Sequence, residues 1–72
     1  MMEEVEISID ELKCSEDKLN NVEVNYWKKI FGDRKPIPSL YINSNNEVVA
    51  FYNCFFALKD LGLSKTWRVL ID

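Results

Sequence analysis

Few side chains in this 72-residue chain could carry chemistry: Cys14 and Cys54, a set of carboxylates crowded toward the N-terminus, and one short basic run. A cysteine attacks only as its thiolate, which needs a neighbouring base or cation. Cys54 stands among apolar residues, where burial raises a thiol pKa, and reads as an inert core residue. Cys14 lies in a polar segment and reads as exposed and incidental. Without a histidine there is no Ser-His or Cys-His couple and no imidazole ligand. Two distant cysteines do not make a zinc site. Gly32 and Gly62, the two glycines, cannot build a G-x-x-x-x-G-K-[ST] or G-x-G-x-x-G loop. Glu3/Glu4 and Asp10/Glu11 have the chemistry to hold Mg²⁺ but read as solvated acids of a terminal or turn region. The expectation is a non-enzymatic protein with no catalytic residue, no metal and no cofactor.

Charge is unevenly spread. Residues 1–23 carry eight acids against Lys13 and Lys18, a balance of −6, and residues 24–72 carry four acids against seven bases, a balance of +3. Such an N-terminal part repels free nucleic acid. It reads as a solvated edge, or as an acidic surface (Glu3, Glu4, Glu6) that docks on a basic partner, such as a protein that itself binds nucleic acid. Lys28, Lys29, Arg34 and Lys35 form the basic run. It reads as a solvated helix end, with contact to phosphate or an acidic partner as the sharper alternative.

These groups need a scaffold, and a chain of this length makes one domain, read over residues 1–72. Val5, Ile7 and Ile9 alternate with polar residues, the period of a half-buried strand. Residues 14–18 read as a turn or short helical segment. Val24, Trp27 and Phe31, with Ile30 beside them, fall at helical spacing. Asn20 is the expected N-cap, with Asn21 as the alternative; Glu23 sits at the capping-box position, and Leu19 and Val24 are spaced for a hydrophobic staple. Gly32 is the expected stop. Pro36 and Pro38 favour extended backbone in DRKPIPS. A hairpin follows, with strands Leu40-Tyr41-Ile42 and Glu47 to Phe51 around the turn Asn43-Ser44-Asn45-Asn46. Residues 53–61 predict a helix capped by Asn53 and stopped by Gly62, and Thr66 to Ile71 a closing strand. The result is an α+β domain with a small mixed sheet and two main helices, order β-α-β-β-α-β.

The acidic start MMEEVEISID lacks the basic and apolar regions of a signal peptide. With two lone cysteines that fit a reducing compartment, the expected location is cytoplasmic.

On the second helix, Cys54, Ala57, Leu58 and Leu61 make the face expected to be core. Phe51, Tyr52, Phe55 and Phe56 flank it, and a short helix on a small sheet has little room for four more rings. They read either as core filler or as an exposed patch that binds a protein or pairs two copies of the chain. Trp27 and Trp67 read as core anchors.

The run Pro36 to Ile42, the turn 43–46, Glu47 to Phe51, the helix ending Ala57-Leu58-Lys59-Asp60-Leu61-Gly62 and the strand Trp67 to Ile71 together resemble the ParB/sulfiredoxin-like domain. The likeness covers most of the chain, mainly at framework positions. That family's Asp-Gly-His-His-Arg motif falls on Ala50-Phe51-Tyr52-Asn53-Cys54, and none of the five matches. The family's arginine and helix-start amides can grip a phosphate; here the arginine's position is Cys54 and the glycine's is Phe51. Sulfiredoxin members carry a reactive cysteine two residues before the arginine, which is Tyr52 here. The resemblance therefore implies the fold and transfers no catalytic residue.

Two functions compete. One is a small protein-binding regulatory module, of the kind phages and mobile elements use to inhibit bacterial systems, anti-CRISPR proteins among them. It would contact its partner through Phe51, Tyr52, Phe55, Phe56 and the acids Glu3, Glu4 and Glu6. The alternative is a diverged ParB-like nucleotide- or DNA-binding domain. A ParB-like nuclease is a third reading that the lost motif opposes.

Overall fold

The computed structural model describes residues 3–62 and 66–71, so the ends of the domain read over residues 1–72 lie outside the described residues. Its elements run β1 (Glu3–Ser8), α1 (Asn21–Gly32), β2 (Leu40–Ile42), β3 (Val48–Ala50), α2 (Tyr52–Leu61) and β4 (Thr66–Ile71). The sheet order is β1-β4-β2-β3. β4 is antiparallel to β1 and parallel to β2, and β2 and β3 form the antiparallel hairpin. The fold is α+β with a mixed four-stranded sheet in the expected order.

β1 keeps the alternation of its sequence: its glutamates are exposed and Val5 and Ile7 half-buried. Ile9 was expected to extend the strand. It enters a short 3₁₀ turn (Ile9–Glu11) instead, with Ser8 Oγ accepting the Asp10 N–H, and its side chain still reaches the core. Lys13 then bridges to Glu47 beside β3, its N–H donating to Asn46 O and its carbonyl accepting from Val48 N. A second 3₁₀ turn (Glu16–Lys18) fills the segment read as turn or short helix.

The core cluster gathers Ile9 and Leu12 after β1, Leu40 and Ile42 from β2, Val48 from β3, Cys54, Phe55 and Leu58 from α2, and Val69 from β4. Phe55 is 1% exposed and is the largest of the fully buried side chains. Its burial corrects the reading of Phe55 as a partner-contact residue: the ring at 55 is the bulk that the small sheet lacks. Leu61, expected on the core face, is 41% exposed in the last turn of α2, while Leu58 one turn earlier is fully buried. Cys14, expected to be exposed, is half-buried and packs against the core. Trp27 and Trp67 pack against the core as anchors.

The proline connection is tied to β4: Arg68 Nη2 donates to Ile37 O at 3.0 Å, and the Trp67 indole N–H points at Pro38 O at 3.5 Å. In the hairpin turn, Asn43 Oδ1 accepts from the N–H groups of Asn45 and Glu47, and Asn46 takes φ +62°, as an asparagine-rich turn allows.

Candidate functional site

Both helices begin at the same place. Asn20 caps α1 as expected, its Oδ1 accepting from Val22 N at 3.0 Å and Glu23 N at 3.2 Å. The second half of the capping box is different. In that motif the acid at the third position takes the cap residue's own N–H; here Asn53 stands between them. Asn53 Oδ1 accepts the Asn20 N–H at 2.8 Å, and Asn53 Nδ2 donates to Glu23 Oε2 at 2.6 Å. Asn53 is thus not the cap of α2 but a buried link from α2 to the start of α1, with both ends of its amide used.

The residue that opens α2 is Phe51, in the left-handed region at φ +60°, with no side-chain cap bond. A Cβ in that conformation costs about 1–2 kcal/mol, which is why glycine is usual there. This is the position that the resemblance matches to the ParB-type motif glycine. What holds it is ring contact: Phe51 meets Trp27 edge-on at 6.2 Å and Tyr41 at 5.7 Å.

Between these two helix starts lies a cleft of about 380 Å³ lined by Glu23, Tyr26, Trp27, Phe51, Tyr52 and Asn53. That volume is at the lower end of the roughly 300–1,000 Å³ of ligand sites. Tyr26 and Trp27 stack edge-on at 5.6 Å. Tyr52 donates its hydroxyl to Val49 O at 2.9 Å, and Lys18 Nζ stands over its ring at 5.6 Å. Exposed apolar side chains include Tyr26 (60%) and Phe51 (37%), which line the cleft, Val22 (79%), next to Glu23 in the chain, and Leu19 (45%).

Of the residues singled out in the sequence, the structure brings Phe51 and Tyr52 into this cleft, and leaves Phe56 half-buried against the core and Phe55. Glu3, Glu4 and Glu6 line the edge strand β1, and none lines the cleft; Glu4 Oε2 accepts the Ser39 hydroxyl at 2.7 Å. In the basic run, Lys28 pairs with Asp60 at 3.3 Å, joining α1 to α2, while Lys29, Arg34 and Lys35 are exposed. Glu23, Tyr26, Trp27 and Asn53 were not read as site residues. Their signal was the i, i+3, i+4 spacing of Glu23, Tyr26 and Trp27 on one helix; the contribution of Asn53 depends on the tertiary fold.

Burial pushes the Cys54 thiol up to about 12, and it also raises Cys14, where Lys18 partly offsets it. Neither is poised as a thiolate at neutral pH. Among the described residues, no group of three or more metal-ligating side chains is assembled, and no helix is long and apolar enough to cross a membrane.

No protein-family model matches this sequence, and no curated protein matches it. Solved structures do. The C2221 form of a Pnob8-like ParB-N domain superposes with a TM-score of 0.78 at 22% identity, covering 99% of this chain and 30% of that one. A pNOB8-like ParB N-domain gives 0.77 at 21% identity, covering 99% and 27%. The chain has the ParB N-domain fold, the ParB/sulfiredoxin-like architecture, over nearly its whole length, and it spans less than a third of the chains it matches.

Proposed function

We propose that this chain is a diverged ParB-N-like domain that works by capture and not by catalysis, with the cleft at the start of α2 as its contact site. The observation that carries the reading is the cleft itself. It lies where the related fold begins its phosphate-gripping helix, yet its walls are four aromatic rings, one carboxylate and one amide. Such a wall suits an apolar or amphipathic partner, and two of its rings, Tyr26 and Phe51, are exposed. A protein partner is therefore our first reading. An inhibitory role of the mobile-element kind is a narrower version of it and rests on chain size and charge.

The second reading, a nucleotide or DNA ligand, is supported by the likeness of fold. Stacking of a base on Trp27 or Tyr26 would serve it, with Lys29, Arg34 and Lys35 as candidate phosphate contacts.

A thermal-melt screen separates the two readings, using CTP, ATP and GTP with Mg²⁺ and a short DNA duplex. A ligand at about 100 times its Kd adds roughly 2.7 kcal/mol, several degrees or more for so small a domain. No shift with any of them, together with capture of a protein partner that Tyr26→Ala weakens, is the expected result. A clear shift with a nucleotide or the duplex would replace the first reading with the second.

A further inference from the structure

The cleft selects for charge as well as shape. The face of an aromatic ring is negative and its edge positive, so a ring attracts a cation over its face. Tyr26 and Trp27 meet at 69°, and Trp27 and Phe51 at 85°. Glu23 adds a full negative charge to the same wall, and its carboxylate is held in place, because Asn53 Nδ2 grips Oε2 at 2.6 Å. An ionised carboxylate accepts at both oxygens, so this grip does not exhaust it.

None of the six lining residues is a base, and the position matched to the family's arginine holds Cys54, fully buried. A phosphate entering here meets the repulsion of Glu23, and the base that stands against a lining ring, Lys18 over Tyr52, is not itself a lining residue. A cation meets attraction from the rings and from the carboxylate together. One ring of the cleft already shows this preference within the chain: Lys18 Nζ stands 5.6 Å from the Tyr52 centroid, inside the roughly 6 Å reach of a cation–π contact.

We infer that the cleft receives a cationic side chain, arginine or lysine, carried by a basic segment of a protein partner. The inference rests on the protein-binding reading and names what that partner brings. A guanidinium fits best, since its plane can lie against Trp27 or Tyr26 while its N–H groups donate to Glu23. In this account the site has kept its place in the fold and reversed its charge preference, from anion to cation.

The test is an NMR titration of the whole chain with the blocked peptide Gly-Ser-Arg-Gly-Ser, its twin with neutral citrulline for arginine, and CTP with Mg²⁺. The arginine peptide is expected to shift the ring resonances of Tyr26, Trp27 and Tyr52 saturably, and the citrulline peptide to bind at least tenfold more weakly. Glu23→Gln keeps an oxygen for Asn53 and should weaken the arginine peptide about tenfold. Tyr26→Ala, at an exposed position, should weaken it about two- to fivefold with the amide spectrum otherwise unchanged. Equal binding of the citrulline peptide at the same rings would overturn the inference and leave the protein-binding reading in place. No shift with either peptide at millimolar concentration would also overturn it. If CTP with Mg²⁺ then moved those rings, the protein-binding reading would fall with it.

Discussion

The backbone N–H of Asn20 donates to Asn53 Oδ1 at 2.8 Å, so the first turn of α1 is closed by a side chain from α2. A helix start leaves several N–H groups without partners, and here one of them becomes a tertiary bond between residues far apart in sequence. The same amide holds Glu23, an acid that lines the cleft, so the junction that joins the helices also shapes the candidate site.

Asn53→Ala removes both bonds and leaves a cavity at a buried position. A neutral hydrogen bond contributes about 0.5–1.5 kcal/mol and one to a charged group about 1.5–3. A loss of about 2–4 kcal/mol is expected in denaturant unfolding. In a double-mutant cycle with Glu23→Ala, the pair should couple by about 0.5–3 kcal/mol. Additive effects of the two substitutions would mean that the 2.6 Å contact carries no energy.

Phe51 tests the left-handed start of α2. Phe51→Ala and Phe51→Gly both lose the contacts to Trp27 and Tyr41, but only the alanine retains the cost of a Cβ at φ +60°. Glycine should therefore be the more stable of the two by about 1 kcal/mol, after its greater unfolded-chain entropy is counted. At an ordinary helical position the order is reversed, so the sign of the difference reports the backbone conformation in solution.

Arg34 is a parallel case at the other end of α1. The sequence places the stop at Gly32, but Gly32 lies within the helix and the left-handed residue is Arg34, at φ +57°. Arg34 N donates to Phe31 O and Lys35 N to Ile30 O, which closes the last turn two residues later than the glycine suggests. Arg34→Gly should stabilise the domain by up to about 1 kcal/mol, seen as a higher melting temperature.

The regular parts of the fold were legible because local rules decide them. The alternation at Val5 and Ile7 marks β1, Asn20 marks the start of α1, the asparagine-rich turn marks the hairpin, and Gly62 at φ +59° ends α2. The site was legible only in part, since what makes it is tertiary. Asn53 has the credentials of an N-cap, and nothing local says that its amide is claimed by another helix. Phe51 breaks the rule that bulky residues avoid positive φ, and nothing local in the sequence marks it as an exception. Phe55 and Phe56 are adjacent rings of the same type, and the hundred-degree step of the helix sends one into the core and leaves the other at its margin.

Phe55 and Tyr26 separate core from site. Phe55→Ala should cost about 3–5 kcal/mol, a large share of the roughly 4–11 kcal/mol available to a domain of this length, and Phe55→Asp should abolish the cooperative transition. Tyr26→Ala should move the melting temperature by only a few degrees, since an exposed position away from special features changes stability little. A folded Phe55→Asp protein with dispersed amide resonances would show that ring 55 is not core.

Cys54 makes the pH dependence of stability readable. Its folded thiol is pushed up to about 12 by burial, against 9.0 for an ordinary thiol. Between those values the unfolded chain has released the proton and the folded chain keeps it, so the folded state binds more protons and stability falls as pH rises. The contribution is fully present below about pH 9 and is lost progressively toward 12. Chemical unfolding at pH 8, 9 and 10 should show a decline that is shallower in Cys54→Ala, a comparison that removes the shared titration of tyrosines and lysines. The same burial predicts that a thiol reagent at pH 8 modifies Cys14 first and reaches Cys54 only at the rate of unfolding. Rapid labelling of Cys54 in the folded chain, or equal pH slopes in the two proteins, would show that its surroundings in the core admit water.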